Sequence, residues 1–242
     1  MKNRNVIGIL MLGVTLFGTS SSVMAMEYDS PTEGRSKATV DLSIEDPTIP
    51  NPDPDDPEID GPDEPGKPNP FPGELKIQYL SDFKFGNWEY TGHELVLNAA
   101  KDTNFTDKTT GETVELSPFV AVQDVRTEDQ GKAGSWTLKA EIKKDFTATE
   151  GTSKLTGAKL VLGIENYEKQ LENNPTSQFT KNVELNPGEA AKTIVVADNM
   201  KGQKSVGFDP AQLVVPSKVN DGQVMDDGEY STEVFWTLEA GI

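Results

Sequence analysis

Three kinds of residue in this chain carry usable chemistry: a few tryptophans, one histidine and many carboxylates. Trp136 and Trp236 each begin a Trp-Thr-Leu run, about a hundred residues apart. An indole face stacks on sugar rings or packs in a core, and its N–H is a single donor. His93 is the only histidine. A Ser-His-Asp triad would have to use it, yet no Gly-x-Ser-x-Gly elbow offers the serine. One histidine and no cysteine leave too few ligands for a zinc site. Acids are abundant enough for glycoside hydrolysis, but no spacing singles out a pair. No cofactor and no metal is expected, and an enzyme is the weakest reading.

The elements that must position these tryptophans read as strands. Tyr230, Thr232, Val234, Trp236, Leu238 and Ala240 alternate with Ser231, Glu233, Phe235, Thr237 and Glu239. That gives one largely apolar face and one largely polar face, at the period of a half-buried strand. Trp136, Leu138, Ala140 and Ile142 repeat the pattern. Because each tryptophan shares its face with Leu and Ala, core packing is favoured over direct ligand contact for both. Tyr230 is either a tyrosine whose hydroxyl ties down a loop or a ligand contact. Asp124 and Arg126 share a strand face, as an ion pair or as a polar binding spot. Trp88, with Phe85 and Tyr90, forms a further aromatic cluster on an expected loop, packing over a sandwich end or offering an alternative sugar platform.

The chain of 242 residues divides by composition. Lys2 and Arg4, an apolar run from Val6 to Phe17, and Val23-Met24-Ala25 make residues 1–25 a secretory signal peptide, with cleavage expected near Ala25. No membrane span is expected after cleavage. Residues 26–72 form an acidic linker, and Glu45 to Pro72 alone holds ten prolines and nine carboxylates. Such a stretch is expected to be disordered and extended, at ~3.1 Å per residue. No spacing within it resembles a calcium loop. The formal charge is −18. That disfavours nucleic acid, whose affinity rests on Lys and Arg, and simple adsorption to anionic polymers. Without cysteine there are no disulfides, so a secreted domain must rely on its core. No Leu-Pro-x-Thr-Gly sorting sequence is present, so retention at a cell is expected to be non-covalent.

Residues 73–242 carry the fold. Strand patterns recur at Leu75 to Tyr79, Leu95 to Leu97, Phe119 to Val125, Trp136 to Ile142, Ala158 to Ile164, Lys192 to Ala197, Ala211 to Val215 and Tyr230 to Ala240. Turn signals separate them, among them Asn186-Pro187-Gly188 and Asp226-Asp227-Gly228. One short helix is expected near residues 165–172. The expectation is an all-β chain folding as a single β-sandwich, Ig-like or a related Greek key.

The two Trp-x-Leu elements also carry a family likeness. The chain resembles the WxL-domain surface proteins of Gram-positive bacteria. Trp136 and Leu138 match the family's first element. Tyr230, Val234, Trp236 and Leu238 match its second, Tyr-x-x-x-[Leu/Ile/Val]-x-Trp-x-Leu. The acidic Pro-Asp stretch, Gly73 to Ile77 running to Gly86, and Val122 to Arg126 also look like the family, whereas the proline that often follows the last element is missing. The resemblance implies a secreted protein held non-covalently at the cell wall, through peptidoglycan or another wall polymer, for surface display or adhesion. It also implies possible assembly with co-secreted surface proteins. A subunit docking onto an anchored partner is the alternative, and a wall-active glycosidase the weaker one. Trp136, Leu138, Tyr230, Trp236, Leu238, Asp124, Arg126 and Trp88 are the candidate contacts.

Overall fold

The structure, a computed structural model, describes residues 27–30, 33–35, 49–52, 58–60, 69, 71–127, 132–164, 177–219 and 226–241. The expected signal peptide, most of the expected linker and the helix expected at 165–172 lie outside the described residues. The chain divides into two units, Met1–Leu42 and Ser43–Ile242. In the first, β1 (Glu27–Ser30) pairs antiparallel with β2 (Glu33–Arg35). The second contains the remaining strands: β3 (Ile59–Asp60), β4 (Leu75–Leu80), β5 (Leu95–Asn98), β6 (Asp102–Asp107), β7 (Thr113–Leu116), β8 (Phe119–Asp124), β9 (Trp136–Ile142), β10 (Thr147–Ala148), β11 (Lys159–Gly163), β12 (Gln178–Phe179), β13 (Asn182–Leu185), β14 (Lys192–Ala197), β15 (Gly202–Gly207), β16 (Ala211–Val215), β17 (Tyr230–Ser231) and β18 (Val234–Ala240). The described residues contain no helix, and the fold is all-β.

Two four-stranded antiparallel sheets enclose the main core. One runs β13-β11-β16-β5 and the other β12-β14-β9-β18. Alternation in the sequence becomes alternation in burial: along β9, Trp136, Leu138, Ala140 and Ile142 are buried while Thr137, Lys139 and Glu141 are half-buried. Leu160, Leu162, Leu213 and Val215 from the facing sheet complete that core in sandwich fashion.

A three-stranded sheet, β15-β8-β4, separates this core from a second. Every residue of β8 is buried, as expected of a strand covered on both faces. Val120 and Val122 join the main core, whereas Phe119 and Ala121 join the smaller one. β4 serves both cores through a bulge. Ile77 pairs with Val122 and Tyr79 with Ala121, so Gln78 is an extra residue that turns Tyr79 toward the second core. There Tyr79, Phe105 and Phe119 meet with ring centroids 5.0–5.2 Å apart. The Tyr79 hydroxyl donates to Asp102 at 2.6 Å.

Some described residues of the 26–72 stretch reach the second core. Ile49 and Ile59, each 1% exposed, are members of the second core, and Pro52 is also buried. β3 pairs with β6, and the Ser205 hydroxyl donates to the Pro50 carbonyl. Proline-rich composition disfavours a self-contained core, but it leaves an extended chain free to insert single aliphatic anchors into another one. Each isoleucine buried this way contributes about 1.5–3 kcal/mol.

Candidate functional site

The two Trp-Thr-Leu runs lie side by side. β18 pairs antiparallel with β9, with Leu138 opposite Leu238, Trp136 opposite Ala240 and Trp236 opposite Ala140. The arrangement is a local two-fold centred on the leucine pair. Each large indole lies across from a small alanine, so the two fit on one face without crowding. The opposite face is polar: Lys139 pairs with Glu239 at 2.7 Å, and the Lys143 ammonium lies 4.2 Å from the Phe235 ring centroid.

Equal sequences meet unequal surroundings. β9 has β14 on one side and β18 on the other, while β18 is the edge of its sheet. Trp136 is 1% exposed and donates its indole N–H to the Met200 carbonyl at 3.2 Å. Leu138 is wholly buried. Trp236 and Leu238 are only half-buried. Trp236 stacks on Phe208 at 5.6 Å between centroids, and Phe208 in turn meets Phe83 at 6.1 Å. Leu75 and Ile77 of β4, the strand beside β18, are likewise half-buried. A partly open apolar seam therefore follows the β18 edge.

Asp124 and Arg126 form a buried ion pair. The Arg126 Nε donates to Oδ1 at 2.9 Å and Nη2 to Oδ2 at 2.8 Å. Nη2 also donates to the Ser135 carbonyl at 2.7 Å, and the Gly134 N–H donates to Asp124 Oδ2 at 2.8 Å. Burial pushes the Asp124 carboxyl up, but the Arg126 and Gly134 hydrogen bonds outweigh it and hold it below the usual aspartate range. The pair ties the end of β8 to the turn that enters β9. Gly134 belongs to that latch: its φ is +83°, and a Cβ there would sit 2.8 Å from the Met200 N. With side chains 0% and 7% exposed, Asp124 and Arg126 present no surface to a ligand. The same holds for Trp136 and Leu138. Of the candidate contacts read from the sequence, these four are enclosed.

Tyr230 makes the corresponding latch for β18. β17 pairs with β10, which sets the Tyr230 hydroxyl against Ser153 Oγ at 2.5 Å. It donates to the Asp226 carbonyl at 2.8 Å. Asp226 Oδ2 accepts the Thr152 and Ser153 N–H groups at 3.1 and 3.0 Å. The Ser153 and Thr152 N–H bonds and the Ser153 hydroxyl hold the Asp226 carboxyl below its ordinary value. Trp88 lies apart from both latches, on the loop between β4 and β5, and is 61% exposed. Sequence reasoning missed Phe208, Met200 and Gly134. Each is an isolated residue whose role appears only when distant strands meet.

Among the described residues, no group of three or more His, Asp or Glu side chains is placed to hold a metal ion. No helix among them is long and apolar enough to cross a membrane. The class defined by this geometry is an all-β module built on two paired Trp-x-Leu strands. The model of the WxL domain family, described as surface cell wall-binding, matches residues 29–241, and the chain belongs to that family. Membership associates it with the cell surface and wall. The match begins well before residue 73 and takes in the segment that carries Ile49 and Ile59. No curated protein and no solved structure matches the chain.

Proposed function

We propose that this protein is exported and held on the cell wall by reversible contacts, with peptidoglycan or another wall polymer as the ligand, for surface display or adhesion rather than catalysis. The observation that carries this reading is the inequality of the two motifs. Trp136 and Leu138 are sealed in the sandwich, so they act through the fold. Trp236 and Leu238 lie on an edge strand and keep part of their surface in water. Contact is made from the β18 side.

A second reading rests on that same edge. No described strand pairs with the outer side of β18, and a strand with free backbone groups and half-buried apolar side chains accepts another extended chain. A co-secreted or anchored surface protein would then supply retention. Sedimentation of the purified protein with insoluble peptidoglycan separates the two. Co-sedimentation without any other protein is expected under the first reading. A protein that stays in the supernatant until wall-bound proteins are restored would replace it with the second. Release of reducing sugar from the pellet would overturn both in favour of a glycosidase.

A further inference from the structure

An exposed tryptophan on a loop ordinarily samples several rotamers. Trp88 does not have that freedom. Its indole Nε1–H donates to the Phe85 carbonyl three residues back. The turn between them places Gly86 at φ +76°, and a Cβ at that position would lie 3.4 Å from Nε1. The stems of the loop are fastened as well. The Ala100 N–H donates to the Lys84 carbonyl at 2.7 Å, Phe83 packs against Phe208, and the Tyr90 hydroxyl donates to the Pro216 carbonyl at 2.9 Å. Phe85 and Tyr90, the aromatics flanking Trp88, are half-buried against the main core. The tip thus holds one large apolar ring in water in a fixed orientation, with its only polar atom already engaged.

We propose that the Trp88 loop is a stacking platform for an uncharged pyranose ring, distinct from the β18 edge. A ring whose N–H is satisfied has only its face to offer, and a flat apolar face is complementary to the C–H face of a sugar. Fixing the ring beforehand removes the ordering cost that a mobile tryptophan would incur on binding. The surroundings select against an anionic ligand: Asp82, Glu89 and Glu94 are exposed on this loop with Lys84 as the only lysine, in a chain of net charge −18. A phosphate-bearing wall polymer is therefore disfavoured here, and an N-acetylhexosamine strand is the class of ligand that fits. This inference deepens the wall-binding reading and rests on it.

The test uses the full mature chain and a soluble tetramer of N-acetylglucosamine. The chain has three tryptophans, so its indole N–H signals in a nitrogen-correlated NMR spectrum are few enough to assign with Trp88→Phe. The Trp88 signal is expected to shift on titration while that of buried Trp136 stays fixed. Trp88→Ala is expected to weaken binding roughly tenfold or more with its melting temperature unchanged, and Trp88→Phe to restore part of the affinity. A silent Trp88 signal, or equal affinity in Trp88→Ala, overturns the proposal. So does an equal Trp88 shift with poly(glycerol phosphate). Sedimentation on insoluble wall material keeps the two readings apart. A protein that sediments with a silent Trp88 removes the platform alone. A protein that binds the tetramer at Trp88 yet fails to sediment removes wall retention alone.

Discussion

β9 and β18 share the run Trp-Thr-Leu, lie antiparallel in one sheet and turn their tryptophans to the same face. Their neighbours differ. β14 pairs with the far side of β9, while no described strand pairs with the far side of β18. Burial follows that difference, with Trp136 sealed and Trp236 half open. A repeated motif therefore need not have one role. Here the interior copy holds the sandwich and the edge copy presents a surface. The largest test of the comparison is truncation at both places. Trp136→Ala removes a fully buried indole and leaves a cavity, which costs about 3–5 kcal/mol. Trp236→Ala removes a ring already half in water, and the expected loss is about 1–3 kcal/mol. Urea unfolding of the two variants reads both values. Equal losses would show that edge and interior are not distinct in the way the strand order implies.

Much of the sheet architecture is readable in the sequence, because period-two alternation is imposed by the pleat and survives tertiary packing. Trp136 to Ile142 and Ala211 to Val215 are strands with their apolar residues inward, as the alternation implies. Of Phe119 to Val125, read as a strand, Phe119–Asp124 forms one and proves to be buried on both faces, a distinction that an apolar run does not make by itself. Three things were not readable. The bulge at Gln78 sends Tyr79 to a different core, and nothing in Leu-Lys-Ile-Gln-Tyr marks the extra residue. Ile49 and Ile59 are single aliphatic residues among prolines and acids, so composition hid two core anchors. The division between Trp136 and Trp236 was also hidden, since matching segments cannot reveal which of them lies at an edge. Of the candidate contacts, Asp124, Arg126, Trp136 and Leu138 proved to be enclosed, whereas Tyr230, Trp236, Leu238 and Trp88 retain exposed surface.

The latches that lead into the two strands extend the comparison. The one before β9 is buried and ionic. Asp124→Asn removes the negative partner and leaves the Arg126 guanidinium enclosed among carbonyls, for an expected loss of about 3 kcal/mol. The sign of its pH dependence is fixed by the depressed carboxylate. The ion pair contributes fully above the ordinary aspartate value of 3.8 and is lost as pH falls through the lower folded-state value. The stability gap between wild type and Asp124→Asn should therefore be constant at neutral pH and close in acid. A gap that widens in acid would contradict the ion-pair account.

The latch before β18 is more exposed and rests on hydroxyls and amides, so its effects should be smaller and local. Tyr230→Phe deletes the hydroxyl shared with Ser153 and Asp226, and the expected cost is about 1 kcal/mol. Because Tyr230 is only half-buried, water can re-satisfy its partners, and the core behind β18 should persist. The Asp226 carboxylate accepts the Thr152 and Ser153 N–H groups in its charged form, which is why its proton affinity is depressed. Those amides should keep their native chemical shifts above the ordinary value of 3.8 and move as pH falls through the lower folded-state value. In Asp226→Asn the movement should vanish. A transition at or above 3.8 in the wild type, or one that survives the substitution, would show that the loop is held by something other than this carboxylate. The edge strand would then be anchored by the packing of Trp236 on Phe208 and by its pairing with β9.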